Sequence, residues 1–405
     1  MTRGSATETG ATGTGATGTG ATQTAATAVD AAATETAAAQ IGASRDALRD
    51  RAHMARALEL AARGLYTTDP NPRVGCVVVR EDRVLGEGWH VRAGEPHAEA
   101  LALRAAGPQA RGATVYVTLE PCSHTGRTPP CADALIAAGV ARVVCSTVDP
   151  NPRVAGGGIA RLQAAGIAVS VGLLAAEARE LNVGFFSRFE RGLPFVRLKL
   201  AMSLDARTAP ASGGQLWISG EAARADVQTW RARSGAVLTG AGTVRIDDPR
   251  LDVRLPYGPW VRQPLRVLLD PMLYCATSAK LFHGEGALVL AATDAPSRPE
   301  GSARVERLPR AAGGLDLHAV MRRLCELEVN ELLVECGPRL AGALILSKLV
   351  DELVLYVAPT LLGADAAPLM HVSGLVPPGT LSAFEFLDVR RIGADLRLIL
   401  VPKKH

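Results

Sequence analysis

Val117-Thr-Leu-Glu-Pro-Cys-Ser-His-Thr-Gly-Arg-Thr-Pro-Pro-Cys131, taken with His97-Ala98-Glu99 upstream, decides the reading of this chain. The β-branched run over 113–118 predicts a strand that delivers Cys122. The Ala- and Leu-rich run from Cys131 to Ala138 predicts a helix, and a second helix is predicted from Ala98 to Ala106, starting just at His97. One histidine and two cysteines make three ligands of the softness that suits zinc. A structural zinc site is closed by four protein ligands, whereas a catalytic one leaves a position for water, whose pKa falls to about 7 on the metal. Glu99 stands two residues beyond the histidine, where it can serve that water as general base and then acid without being a ligand. His-x-Glu followed by Pro-Cys and a second cysteine is the arrangement of zinc deaminases acting on nucleobase-like rings. Here eight residues separate the cysteines, more than the usual two. His124, inside that loop, is a further ligand candidate but reads better as a substrate-facing or solvent residue.

Outward from this constellation the chain alternates strand and helix, the pattern of a layered α/β protein. Strands are predicted at 74–79, 83–90, 142–146 and 167–171, with a helix over 47–64 before them. After a linking segment at 183–194 the alternation resumes: strands at 195–201, 236–239, 265–269, 287–291, 331–335, 350–357 and 396–401, and helices at 219–233, 317–327 and 340–348. The expected organisation is an Ala/Thr/Gly tail over 1–45, too poor in apolar bulk to order itself, a zinc deaminase domain over 46–192 and a second α/β domain over 193–405. Of the 405 residues 48% are hydrophobic but only 4% aromatic, so the cores must be built from Ala, Val and Leu. A net charge of +4 without any dense basic run argues against a nucleic-acid binder. No apolar run reaches the roughly 18–20 residues of a membrane span, and the N-terminus lacks a signal-peptide pattern. Seven cysteines are an odd count that does not suggest a disulfide framework, so a cytoplasmic setting with reduced thiols is expected.

Four segments, Thr68–Cys76, Ala93–Ala100, Val117–Cys131 and Asp149–Gly158, resemble the bifunctional deaminase/reductases of riboflavin biosynthesis, the RibD family. The resemblance runs from about residue 50 to near the C-terminus. It implies a cytidine-deaminase-like three-layer domain followed by a dihydrofolate-reductase-like α/β domain. It also implies one zinc ion per chain, held by His97, Cys122 and Cys131. The implied substrate is 2,5-diamino-6-(5-phosphoribosylamino)pyrimidin-4(3H)-one, a small phosphorylated pyrimidine, with Asn71 bonding its ring. The second domain, opening at Lys199–Ala209, would reduce the deaminated product with NADPH. Thr243, Asp247, Ala201, Trp217 and the run Gly337, Pro338, Arg339, Leu340, Ala341, Gly342 and Ala343 are the implied cofactor contacts. That run leads from a strand into a helix, whose N-terminus favours a pyrophosphate. Gln215, Arg231, Leu251, Arg254 and Glu335 are the implied reductase substrate contacts, and Lys199 and Asp205 further active-site candidates. The family suggests a homo-oligomer, dimer or tetramer. Three positions depart from its pattern. Ala206 stands where glycine is usual, Gln215 where serine is, and Leu216 replaces a polar residue. Ala206 becomes costly if the backbone there needs a positive φ.

Overall fold

A computed structural model describes residues 46–123, 130–212, 216–254, 261–297, 303–311, 313–372 and 384–403. The expected tail at 1–45, His124 and Gln215 lie outside the described residues. The chain divides after Ala52, and all packing described below lies within the unit from His53 onward.

Helix α1 spans residues 46–62. It leads into a five-stranded sheet built from β1 (Gly75–Arg80), β2 (Arg83–Trp89), β3 (Thr114–Val117), β4 (Arg142–Cys145) and β5 (Ala168–Val171). The strand order is β2-β1-β3-β4-β5, with β1 antiparallel to both neighbours and β3, β4 and β5 parallel. Helices α2 (Ala98–Ala106), α3 (Cys131–Ala138) and α4 (Gly157–Ala164) cover one face. Ala98, Ala102, Leu135 and Leu162 pack there on Cys76, Val78, Val115 and Val143. On the other face Met54, Ala57 and Leu60 of α1 pack on Val77, Val79, Tyr116 and Val144. The period-2 alternation of the strands thus feeds two apolar layers, giving the expected three-layer arrangement. α1 lies so close to the sheet that a Cβ on Gly75 would sit 1.9 Å from the Ala57 carbonyl oxygen.

Two helices then follow, α5 (Ala175–Leu181) and α6 (Val183–Arg191). The segment expected to be a plain linker is therefore helical over most of its length. Its aromatic residues explain the difference. Phe185 and Phe186 are buried against the first sheet's core, Phe185 meets Phe189 edge-on at 4.9 Å, and Arg188 lies over Phe189. Gly192, in the left-handed region at φ +68°, ends the helix.

The second half is built on a nine-stranded sheet. Its strands are β6 (Phe195–Ser203), β8 (Ala236–Gly240), β9 (Leu265–Leu269), β10 (Ala287–Ala292), β11 (Arg304–Leu308), β14 (Glu331–Glu335), β15 (Glu352–Ala358), β17 (Phe384–Ile392) and β18 (Asp395–Pro402). Short ribbons β7 (Arg207–Ala209) with β16 (Ala367–Pro368), and β12 (Arg310–Ala311) with β13 (Gly314–Leu315), lie outside it. The order is β11-β10-β9-β8-β14-β6-β15-β18-β17, parallel through β15 and antiparallel beyond. The central strands are buried on both faces, which is why they read as near-continuous apolar runs. Helices α9 (Leu317–Glu326) and α10 (Pro338–Leu346) cover one face through Val320, Leu324 and Leu344, and α7 (Glu221–Arg233) covers the other through Val227 and Trp230. The short helix α8 (Ala241–Asp247) caps the end of β8.

Candidate functional site

His97 is the N-cap residue of α2 and makes no capping bond with its side chain, so the imidazole is free to turn inward. Cys131 opens α3, and beside Cys122 its buried thiol is held well above the ordinary range, so Cys122 is the first of the pair to ionise. Cys122 lies between β3 and α3, and its Sγ accepts from the Cys131 backbone N–H at 3.3 Å. The three side chains converge. His97 Nδ1 is 3.6 Å from Cys122 Sγ and 3.3 Å from Cys131 Sγ, and all three donor atoms lie within 4.8 Å of one another. Zinc bonds of about 2.0–2.3 Å at the tetrahedral angle place neighbouring donors about 3.3–3.8 Å apart. The donor set therefore fits zinc in both spacing and chemistry. Hydrogen bonding to Cys131, helped by His97, pulls the Cys122 thiol well below the ordinary range against the cost of burial. Glu99, in the first turn of α2, is buried, and burial pushes its carboxyl above the usual carboxylate range although His97 pulls the other way. A buried acid held ready to carry a proton beside three metal-type ligands is what a hydrolytic site needs and a structural site does not.

Two supporting residues escaped the sequence reading. Asn71 Nδ2 donates to His90 Nε2 at 3.0 Å, and His90 Nδ1 donates to the Pro96 carbonyl at 3.2 Å. This fixes one neutral tautomer, and burial holds His90 below the ordinary histidine range. Among the described residues the Asn71 side chain keeps its carbonyl oxygen and one N–H for a ligand. Glu120, just before Pro121-Cys122, accepts from the backbone N–H groups of Asp149, Gly156, Gly158 and Ile159 at 2.9 to 3.2 Å. It caps α4 and ties the cysteine loop to the 149–159 segment. The only sequence signal was the shared presence of both segments, since a glutamate beside a proline announces no partner.

The second site is an open cleft of about 1460 Å³ at the C-terminal ends of β6, β8 and β14. The β14–β6 register sets Glu335 beside Lys199. Among the expected contacts, Lys199, Ala201, Trp217, Arg231, Thr243, Asp247, Leu251, Arg254, Glu335, Gly337, Pro338, Arg339, Leu340 and Ala343 line it. Ala341 faces the core instead, and Gly342 packs on the chain at His371, where a Cβ would meet the carbonyl oxygen at 1.8 Å. Asp205 stands off the cleft. Its carboxylate accepts from Ser203 Oγ and from the Leu362 and Gly363 N–H groups, and these bonds hold it down to about 2. Arg231 is already engaged, with Nε and Nη2 on Glu335 at 2.5 and 3.0 Å and Nη1 on the Asp252 carbonyl at 3.1 Å. Burial opposes the charge on Glu335, but Arg231 outweighs it and keeps the carboxyl below its usual range. Burial likewise pushes the Lys199 ammonium down, against the pull of Glu335. Arg254 is more open, paired with Asp252 at the cleft edge, and Arg250 and Lys280 add cations that the sequence had not singled out. The N-terminus of α10 opens onto the cleft at Gly337 with no side-chain cap, so its N–H groups can receive a pyrophosphate.

Known proteins show the same two parts. Residues 48–147 match the zinc-binding region of cytidine and deoxycytidylate deaminases, and residues 194–398 match the RibD C-terminal domain. The riboflavin biosynthesis protein RibD of Escherichia coli K12 is 50% identical over 371 residues, covering 87% of this chain and 100% of that protein. The Haemophilus influenzae protein of the same name is 46% identical over 365 residues, covering 88% and 98%. A solved structure of Acinetobacter baumannii RibD superposes with a TM-score of 0.83 at 44% identity, covering 88% of this chain and 100% of that one.

Proposed function

The chain belongs to the RibD family, the bifunctional deaminase/reductases of riboflavin biosynthesis, and from that premise we propose how its own residues divide the two reactions. The first domain, which we bound at 46–192, deaminates 2,5-diamino-6-(5-phosphoribosylamino)pyrimidin-4(3H)-one. The second, 193–405, reduces the resulting 5-amino-6-(5-phosphoribosylamino)uracil to its ribitylamino product.

In the first site His97, Cys122 and Cys131 would hold one zinc ion, which when bound makes hydroxide available near neutral pH. Asn71, oriented by His90, presents its free carbonyl oxygen and N–H to the pyrimidine edge. Glu99 takes the proton of the attacking water and passes it to the ring nitrogen and then to the departing ammonia. NADPH, when bound in the second site, would supply a hydride; the N–H groups of Gly337 and the first turn of α10 would hold its pyrophosphate, with Trp217 and Thr243 beside it in the cleft lining. Lys199 and Glu335 face the ribosyl group, and Arg254, rather than the engaged Arg231, meets the substrate phosphate. The reading is of a cytoplasmic enzyme working on phosphorylated substrates; among the described residues no helix is long and apolar enough to cross a membrane. A dimer or tetramer is the expected assembly of the family.

The observation that carries the deaminase reading is the buried Glu99 beside the His97–Cys122–Cys131 cluster. Glu99→Gln should keep its zinc, measured by metal analysis, and lose ammonia release by roughly 10²–10⁴-fold. Unchanged turnover would remove Glu99 from the chemistry.

A further inference from the structure

The loop that presents Asn71, Asp69-Pro70-Asn71-Pro72-Arg73, is held from outside by residues some 260 positions later in the chain. Asn330 Nδ2 donates to Asp69 Oδ1 at 3.1 Å and to the Pro70 carbonyl at 2.8 Å, immediately before Asn71. Arg262 bonds the same Asp69 carboxylate from another side. Beyond Asn71, the Arg73 guanidinium donates to Glu331 Oε1 at 2.5 Å, while the first half's own Leu181 carbonyl and Asn182 side chain hold the rest of Arg73. Asn330 and Glu331 stand at the start of β14, the strand whose far end carries Glu335 into the reductase cleft. Among the described residues, the deaminase half bonds Asn71 itself through the Asn71 N–H to the Thr68 carbonyl at 2.8 Å and through His90.

We propose that Asn330 is a positioning residue for deamination: the reductase half supplies the support that sets Asn71 against the pyrimidine. The proposal rests on the reading of Asn71 as a substrate contact. Asn330 touches neither substrate nor metal. It acts through the backbone at Pro70, so releasing it loosens substrate binding and leaves the zinc, Glu99 and the proton transfers in place.

The test uses the zinc-loaded full chain and both assays. Asn330→Ala should raise the deaminase KM about tenfold, the effect of removing two hydrogen bonds of ordinary net worth. The deaminase kcat, the zinc content and the reductase kcat/KM should stay at their original values. Asn71→Ala should raise the same KM, and the double variant should be no worse than Asn71→Ala alone, since Asn330 acts through Asn71. An unchanged KM in Asn330→Ala beside a raised KM in Asn71→Ala overturns the proposal and leaves the Asn71 reading standing. Strictly additive effects overturn it too. An unchanged KM in Asn71→Ala removes the Asn71 reading and this proposal with it. Should Asn330→Ala lose the reductase activity as well, Arg262→Ala decides in its place. A rise in deaminase KM with the reductase intact supports the proposal, and an unchanged KM overturns it.

Discussion

At Ala206 the backbone passes through φ +57°, in the turn that joins β6 to β7. The turn is tied on both sides: Ala206 N–H donates to the Ser203 carbonyl, and the Ala206 carbonyl accepts from Leu369 N–H, each at 3.0 Å. A Cβ in this left-handed region costs about 1–2 kcal/mol, and glycine forfeits roughly 0.5–1 kcal/mol of that through its freer unfolded chain. A glycine at this position would have a physical reason, and this chain, with Ala206, carries the strain. Ala206→Gly should stabilise the protein by about 0.5–1 kcal/mol, read as a higher denaturation midpoint at unchanged slope. A lower midpoint would mean that the Ala206 methyl makes contacts worth more than the strain.

At the scale of elements, what the sequence made legible follows from where the information is local. Helices α2 and α3 and strands β9 and β14 have the bounds expected from their apolar runs, because their own residues decide them. The zinc-type cluster was legible for a related reason: few residue types can do its chemistry, and His97 and Cys131 stand at helix starts. α6 was not legible, since its stability comes from burying Phe185 and Phe186 against a core that lies far away in sequence. The packing of α4 is of this second kind. A Cβ on Gly158, in its first turn, would lie 1.8 Å from the Pro121 carbonyl oxygen, so α4 and the Cys122 loop touch backbone to backbone. Gly158→Ala must push that loop away. The expected result is lost zinc and at least about a hundredfold less deamination, in line with the cost of misplacing a reacting group by an ångström. Reduction, served by a different sheet, should persist. Full zinc content in this variant would show that α4 yields instead of the loop.

Across the whole molecule the two halves meet at a buried charge cluster. Glu331 accepts from Arg73 of the first half and from Arg197 and Arg233 of the second, and its side chain is only 2% exposed. Nothing local in the sequence announces this joint, because its four members come from four separate segments. Burial opposes the Glu331 charge, but Arg233, Arg73 and Arg197 together hold its carboxyl far below the usual range. A carboxyl with a depressed folded pKa stabilises the fold fully above its unfolded pKa of about 4.3, and that stabilisation fades as pH falls toward the folded value. Acid should therefore weaken the chain through Glu331 below about pH 4.3, by at most about 1.4 kcal/mol per pH unit from this group. Glu331→Gln should cost about 3–5 kcal/mol at neutral pH, because it leaves buried guanidinium groups without their counter-charge. The same variant has no proton to gain at this position, so its stability should fall less steeply with acid than that of the original chain. Denaturant titrations of both proteins between pH 7 and 3.5 check the sign. Parallel curves would show that the acid sensitivity resides elsewhere and that Glu331 serves the joint by shape alone.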